Sequence, residues 1–157
     1  MTHPNEELIH TFYKAFQNKD YLTMQQCYHS DASFSDPAFP GLNSREVQAM
    51  WQMLLTASKD LKVTFDQVSA NDQVGRCHWD AYYTFSRTGR KVHNSINASF
   101  HFKEGKILRH DDSFDFWRWS RQALGVSGWW LGWSPMLKTK VQAMARKNLI
   151  QFMSKVG

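Results

Sequence analysis

The chain predicts an α+β fold, helices first and sheet second, on three observations. The apolar period is about 3.6 residues up to Leu55 and changes to 2 from Leu61. Turn signals at Asn71-Asp72, Thr88-Gly89 and Glu104-Gly105 then divide the sheet region into successive strands. No apolar run is long enough to span a bilayer.

Leu8, Ile9, Phe12, Tyr13 and Phe16 fall on one face of a first helix behind Asn5 as the expected N-cap, and a second short helix is expected from Asp20. Residues 31–37 read as a short strand stopped by Pro37 and the Pro40-Gly41 turn. Asn43-x-x-Glu46 is a capping box for a third helix that places Val47, Met50, Trp51, Leu54 and Leu55 on one side. Strands are expected from Leu61 and over 74–86, 90–102 and 106–116, as a curled antiparallel sheet with helices on one face and a cavity between them. Residues 1–116 form this domain. Residues 117–157 read as an appended segment with five of the seven tryptophans, among them Trp129, Trp130 and Trp133, and a helix from Pro135.

Charge divides at the same place. Residues 1–115 hold twelve Lys/Arg and fourteen Asp/Glu, whereas residues 116–157 hold seven Lys/Arg and no acid. The net +5 thus belongs to the C-terminal segment, and the main body carries no nucleic-acid footprint. Cys27 and Cys77 stand apart, outside any zinc or disulfide spacing. With a polar, acidic start lacking a signal-peptide pattern, a soluble cytoplasmic protein is expected.

Two His-x-Asp triplets carry the candidate chemistry, His78-Trp79-Asp80 and His110-Asp111-Asp112. If three-residue hairpin loops closed by a glycine bulge join the strands, Asp80 lies opposite Ile96 and Ile96 opposite Asp112. The neighbouring rows then read His78, Ala98, His110 and Tyr82, Asn94, Phe114, all on one face. Two-residue loops would instead put Asn97, Ser95 and Ser99 between the aspartates, an ordinary wet surface. The first register is favoured because it turns Ile96, Ala98, Phe100 and Phe102 to the core. In it, ionisable groups share an apolar wall, and partial desolvation moves their pKa values toward neutrality. Asp112 is then the expected base, and Asp80 with His78 the acid or electrostatic partner. His110 either orients Asp112 or carries the proton. Tyr13, Phe16 and Trp51 line the cavity from the helices. Asp36 either holds a water or substrate at the mouth or starts a turn before Pro37. His93 and His101 belong to the other sheet face. The two triplets are too far apart across Ala98 to share a metal, so no metal and no organic cofactor is implied.

The order of early helices, Phe34-Ser35-Asp36-Pro37, Gly105-Lys106-Ile107 and Asp112-x-x-Asp115 resembles the superfamily of nuclear transport factor two, ketosteroid isomerase, SnoaL-like polyketide cyclases and limonene epoxide hydrolase. The resemblance covers roughly residues 5–116 and implies a cone-shaped curved sheet, and a homodimer. Set against the epoxide hydrolase, it implies that Asp112 acts on a water, that Asp80 is its partner carboxylate, and that Asp36 matches a polar water-holding residue. His78 stands where the hydrolase has a permanently charged arginine. The function expected is acid/base chemistry (isomerisation, cyclisation or epoxide hydration) on a small apolar molecule. The alternatives are a ligand-binding or assembly module without chemistry, and a membrane-surface protein acting through residues 117–157. The last is disfavoured because Lys138 and Lys140 do not form a dense basic run.

Overall fold

A computed structural model describes residues 2–126 and 134–156. Trp129, Trp130 and Trp133 lie outside the described residues. The order is α1 (Pro4–Gln17), α2 (Tyr21–Gln26), β1 (Tyr28–Ser35), β2 (Leu42–Asn43), α3 (Ser44–Ala57), β3 (Lys62–Ala70), β4 (Val74–Phe85), β5 (Arg90–Lys103), β6 (Lys106–Ser113), α4 (Phe116–Leu124) and α5 (Pro135–Val156). The α+β class holds, with one curved six-stranded mixed sheet in the order β2-β1-β6-β5-β4-β3 and helices packed on its concave face.

Local chemistry explains the helix starts. Pro4 opens α1, where its missing N–H costs nothing, and the His3 imidazole accepts from Asn5 N at 3.0 Å. The cap is therefore His3, while the Asn5 amide reaches across to donate to Asn71 O. Asp20 caps α2 through Thr23 N. On α3 the capping box is complete, with Glu46 N donating to Asn43 Oδ1 at 2.9 Å and Asn43 N donating to Glu46 Oε1 at 3.0 Å.

The hairpins correct the expected register. β4 and β5 are joined by a four-residue loop, Ser86–Gly89, so that Phe85 pairs with Arg90 and Asp80 with Ser95. This single-residue slip turns Cys77, Trp79, Ala81 and Tyr83 inward and sends His78, Asp80 and Tyr82 to the convex face. The energetic reason is plain: this register buries an indole, worth about 2–3 kcal/mol, and leaves a carboxylate in water instead of desolvating it at a cost of several kcal/mol. Between β5 and β6 the loop is the two-residue Glu104-Gly105, both at positive φ as a type I′ turn requires. An irregularity between His101 and Phe102 then sets Ala98, not Ile96, opposite Asp112, and Phe100 opposite His110. The shift is by two, so Asp112 and His110 keep the inward face.

One pairing has no local signal. β1 lies parallel to β6, matching Phe34 with His110 and Ser35 with Asp111. The next residues along, Asp36 and Asp112, are thereby neighbours. Helix α5 packs on α3, anchored by Leu149, which is almost fully buried, by the Arg146–Glu46 ion pair at 3.0 Å, and by the Gln142 amide donating to Pro37 O at 3.0 Å. No described helix is long and apolar enough to cross a membrane.

Candidate active site

Sheet, α3, α4 and α5 enclose a cavity of about 1050 Å³. Its wall is chiefly Phe16, Met50, Trp51, Trp79, Ile96, Phe114 and Trp119, and Asp36, Asp112 and Asn94 supply polar groups. An apolar hollow with a few convergent polar atoms is what a small-molecule site requires.

Asp112 is held from behind by a buried chain. Trp51 Nε1 donates to Tyr28 Oη at 2.9 Å, Tyr28 Oη lies 2.8 Å from His110 Nδ1, and His110 Nε2 lies 2.9 Å from Asp112 Oδ1. Indole N–H can only donate, so the Tyr28 oxygen accepts from Trp51. Asp112 Oδ1, in contact with His110 Nε2, also accepts from Trp79 Nε1 at 3.4 Å. Two contacts on one oxygen fix the carboxylate. His110, fully buried beneath five aromatic rings, is an orienting group and does not line the cavity.

Asp36 approaches from the end of β1. Its Oδ1 accepts from Ala38 N at 2.7 Å and Phe39 N at 2.6 Å, so it does start the turn through Pro37 while also lining the cavity. Burial, followed by repulsion from Asp112, raises its pKa to about 6, against the pull of those two N–H groups. Tyr83 completes this corner. Its hydroxyl accepts from Trp119 Nε1 at 2.8 Å, and burial, with the Asp36 charge, pushes its pKa up.

The other expected residues are placed as follows. Phe16, Trp51, Asn94, Ile96 and Phe114 line the cavity, whereas Ala98 lies in the core behind it. Tyr13 does not reach the cavity: it is fully buried against Phe65, Trp79 and Phe100, its hydroxyl without a hydrogen-bond partner among the described residues, its pKa raised by burial and by Asp112. Asp80 and His78 are not part of the site. On the convex face Asp80 lies between His93 Nε2 at 2.9 Å and His78 Nε2 at 3.2 Å, while His78 Nδ1 meets Asn97 at 2.9 Å. Tyr82 stacks on His93 and is 40% exposed. Partial burial opposes ionisation of Asp80, but the His93 hydrogen bond and the two imidazoles outweigh it and hold its pKa below the ordinary value. Among the described residues no group of three or more His, Cys, Asp or Glu is arranged to hold a metal. Both thiols are buried, which pushes Cys27 to about 11 and Cys77 to about 12 and leaves them unreactive.

The sequence reading missed Tyr28, Tyr83 and Trp119, and it did not bring Asp36 beside Asp112. A signal for the β4 facing was present: Cys77, Trp79, Ala81, Tyr83 and Phe85 alternate with His78, Asp80, Tyr82 and Thr84, an apolar-in pattern that excludes Asp80 from the core.

Comparison with known proteins agrees with this architecture. A family model described as a SnoaL-like domain matches residues 9–110. Among solved structures, IdmH of Streptomyces antibioticus, described as a candidate polyketide cyclase, is 21% identical with a TM-score of 0.65, covering 79% of this chain and 100% of its own. An LEH-like epoxide hydrolase of M. tuberculosis is 16% identical with a TM-score of 0.65, covering 78% and 91%. TerC, crystallised with polyporic acid, is 19% identical with a TM-score of 0.61, covering 72% and 92%. These likenesses show the fold. A search of curated protein sequences found no match.

Proposed function

The chain belongs to the SnoaL-like domain family, and from that premise we propose that it binds a small, largely apolar molecule in its cavity and moves a proton on it. The observation that carries this reading is that two carboxyl groups, Asp36 and Asp112, share one apolar cavity in different environments. Environments that push two carboxyls apart create an acid and a base from the same functional group. Asp112, fixed by His110 and Trp79, is the base that takes a proton from carbon or from water. Asp36, whose proton is retained to about pH 6, returns one to the oxygen on which charge develops. His110 and Tyr28 are positioning residues, and Trp51 holds the Tyr28 oxygen in place.

An acid and a base so placed can serve isomerisation, cyclisation or epoxide hydration, and the similarity to proteins described as a candidate polyketide cyclase and an LEH-like epoxide hydrolase supports that range. Proton transfer can be read without knowing the natural substrate. Bicyclic ketones such as 2-tetralone in deuterated buffer should exchange their α-hydrogens faster with the protein than without it, and Asp112→Asn should abolish the gain. Exchange that matches buffer alone while the ketone binds would assign the cavity to ligand carriage instead.

A further inference from the structure

The charged side chains that line the cavity differ in exposure by sign, Asp36 and Asp112 being the sheltered ones and three cations the exposed ones. Asp36 and Asp112 lie within it, whereas the exposed Lys59, Arg87 and Lys140 contribute to its rim from three separate segments: the link before β3, the β4–β5 loop and the first turns of α5. Those segments are tied in place. Asp60 accepts from Thr84 N at 3.1 Å, which joins the first two, and α5 is held by Gln142 and Arg146. None of the three cationic side chains forms an ion pair among the described residues. Asp60, the rim's acid, is already engaged by Thr84 and, at 3.5 Å, by Lys91.

An unpaired cationic rim above an acidic floor is an orienting field. A carboxylate, sulfonate or phosphate is attracted to the mouth and repelled from the bottom, so an elongated ligand with one anionic end can enter productively in a single direction. We propose that the ligand is an amphipathic anion: its apolar body fills the cavity between Trp51, Trp79 and Trp119, its charged group stays at the mouth among Lys59, Arg87 and Lys140, and its reactive end meets Asp36 and Asp112. This rests on the acid/base reading of the same cavity and adds the chemical class of what it takes. Helix α5, which lies beyond the family match, supplies Lys140 together with Leu137, Val141 and Met144 of the wall, and so contributes to both halves of the selection.

Two dyes sharing one skeleton test this. 1-Anilinonaphthalene-8-sulfonate carries an anionic group that N-phenyl-1-naphthylamine lacks, and both brighten in apolar cavities. The wild-type protein should bind the sulfonate roughly fivefold or more tighter at low salt, the two dyes should displace each other, and the preference should fade as salt screens the rim. Lys140→Glu and Arg87→Glu, both at exposed positions, should each reverse or erase the preference, lowering the affinity for the sulfonate far more than that for the neutral dye. Equal affinities in the wild type, or a preference unmoved by both substitutions, overturns the anionic class and leaves the cavity reading standing. Failure of the dyes to compete also overturns it. If neither dye binds, the cavity reading falls with it.

Discussion

His78-Trp79-Asp80 and His110-Asp111-Asp112 are two copies of one pattern, placed on strands of one sheet, with opposite fates. The second is buried, its imidazole capped by Tyr28 and its carboxylate held at a cavity wall. The first lies on the convex face, its carboxylate shared by two partly exposed histidines. The difference arises from one residue in one hairpin. Residue type and spacing thus do not make a chemical site. Facing does, because it decides whether a carboxylate is desolvated next to a ligand or left in water.

The largest expected contrast is in catalysis. Asp112→Asn should lower proton-exchange rates by about 10²–10⁴-fold, whereas Asp80→Asn should change them by less than about twofold, read by NMR on the same ketones. A comparable loss from both would erase the distinction.

Stability should separate the regions next. Tyr28→Phe leaves the Trp51 indole N–H and His110 Nδ1 buried without partners and should cost about 1–3 kcal/mol in urea unfolding. On the outer face, Asp80→Asn should cost at most about 1 kcal/mol.

A pH dependence of unusual sign follows from Asp36. Its folded pKa of about 6 lies above the ordinary 3.8, so between those values the folded state holds more protons than the unfolded one. Stability should therefore fall as pH rises from about 4 through 6, by up to about 3 kcal/mol, and stay lowered above that range. Asp36→Asn keeps an oxygen to accept from Ala38 N and Phe39 N, so it should remove much of this slope. Asp80 works the other way: its depressed pKa adds stability at neutral pH that is lost only as the solution becomes strongly acidic. If Asp36 is the acid, activity should also decline above about pH 6. The smallest effect is expected at the α5 anchor, where Arg146→Ala should cost about 0.3–1 kcal/mol of thermal stability.

These contrasts also mark what could be read in advance. The α3 capping box, the break in period at Leu61 and the strand sequence follow from local chemistry, and the structure repeats them. Asp112's inward face was legible for the same reason, since Ile96, Ala98 and Phe100 define that side of β5. Asp80 faces outward against expectation because burial of the Cys77-Trp79-Ala81 side outweighs the preference for a three-residue loop. Asp36 beside Asp112, and Tyr28 beneath His110, were out of reach. Both depend on the parallel β1–β6 pairing, a contact across about eighty residues with no turn between the strands to announce it.

The most direct measurement is a carbon-13 NMR titration of the aspartate carboxyls in the wild-type protein, Asp112→Asn and Asp80→Asn. Asp36 should titrate near pH 6, shift downward when the Asp112 charge is removed, and not move when Asp80 is changed. An Asp36 midpoint near 4, or one that ignores Asp112, would contradict a shared carboxylate site.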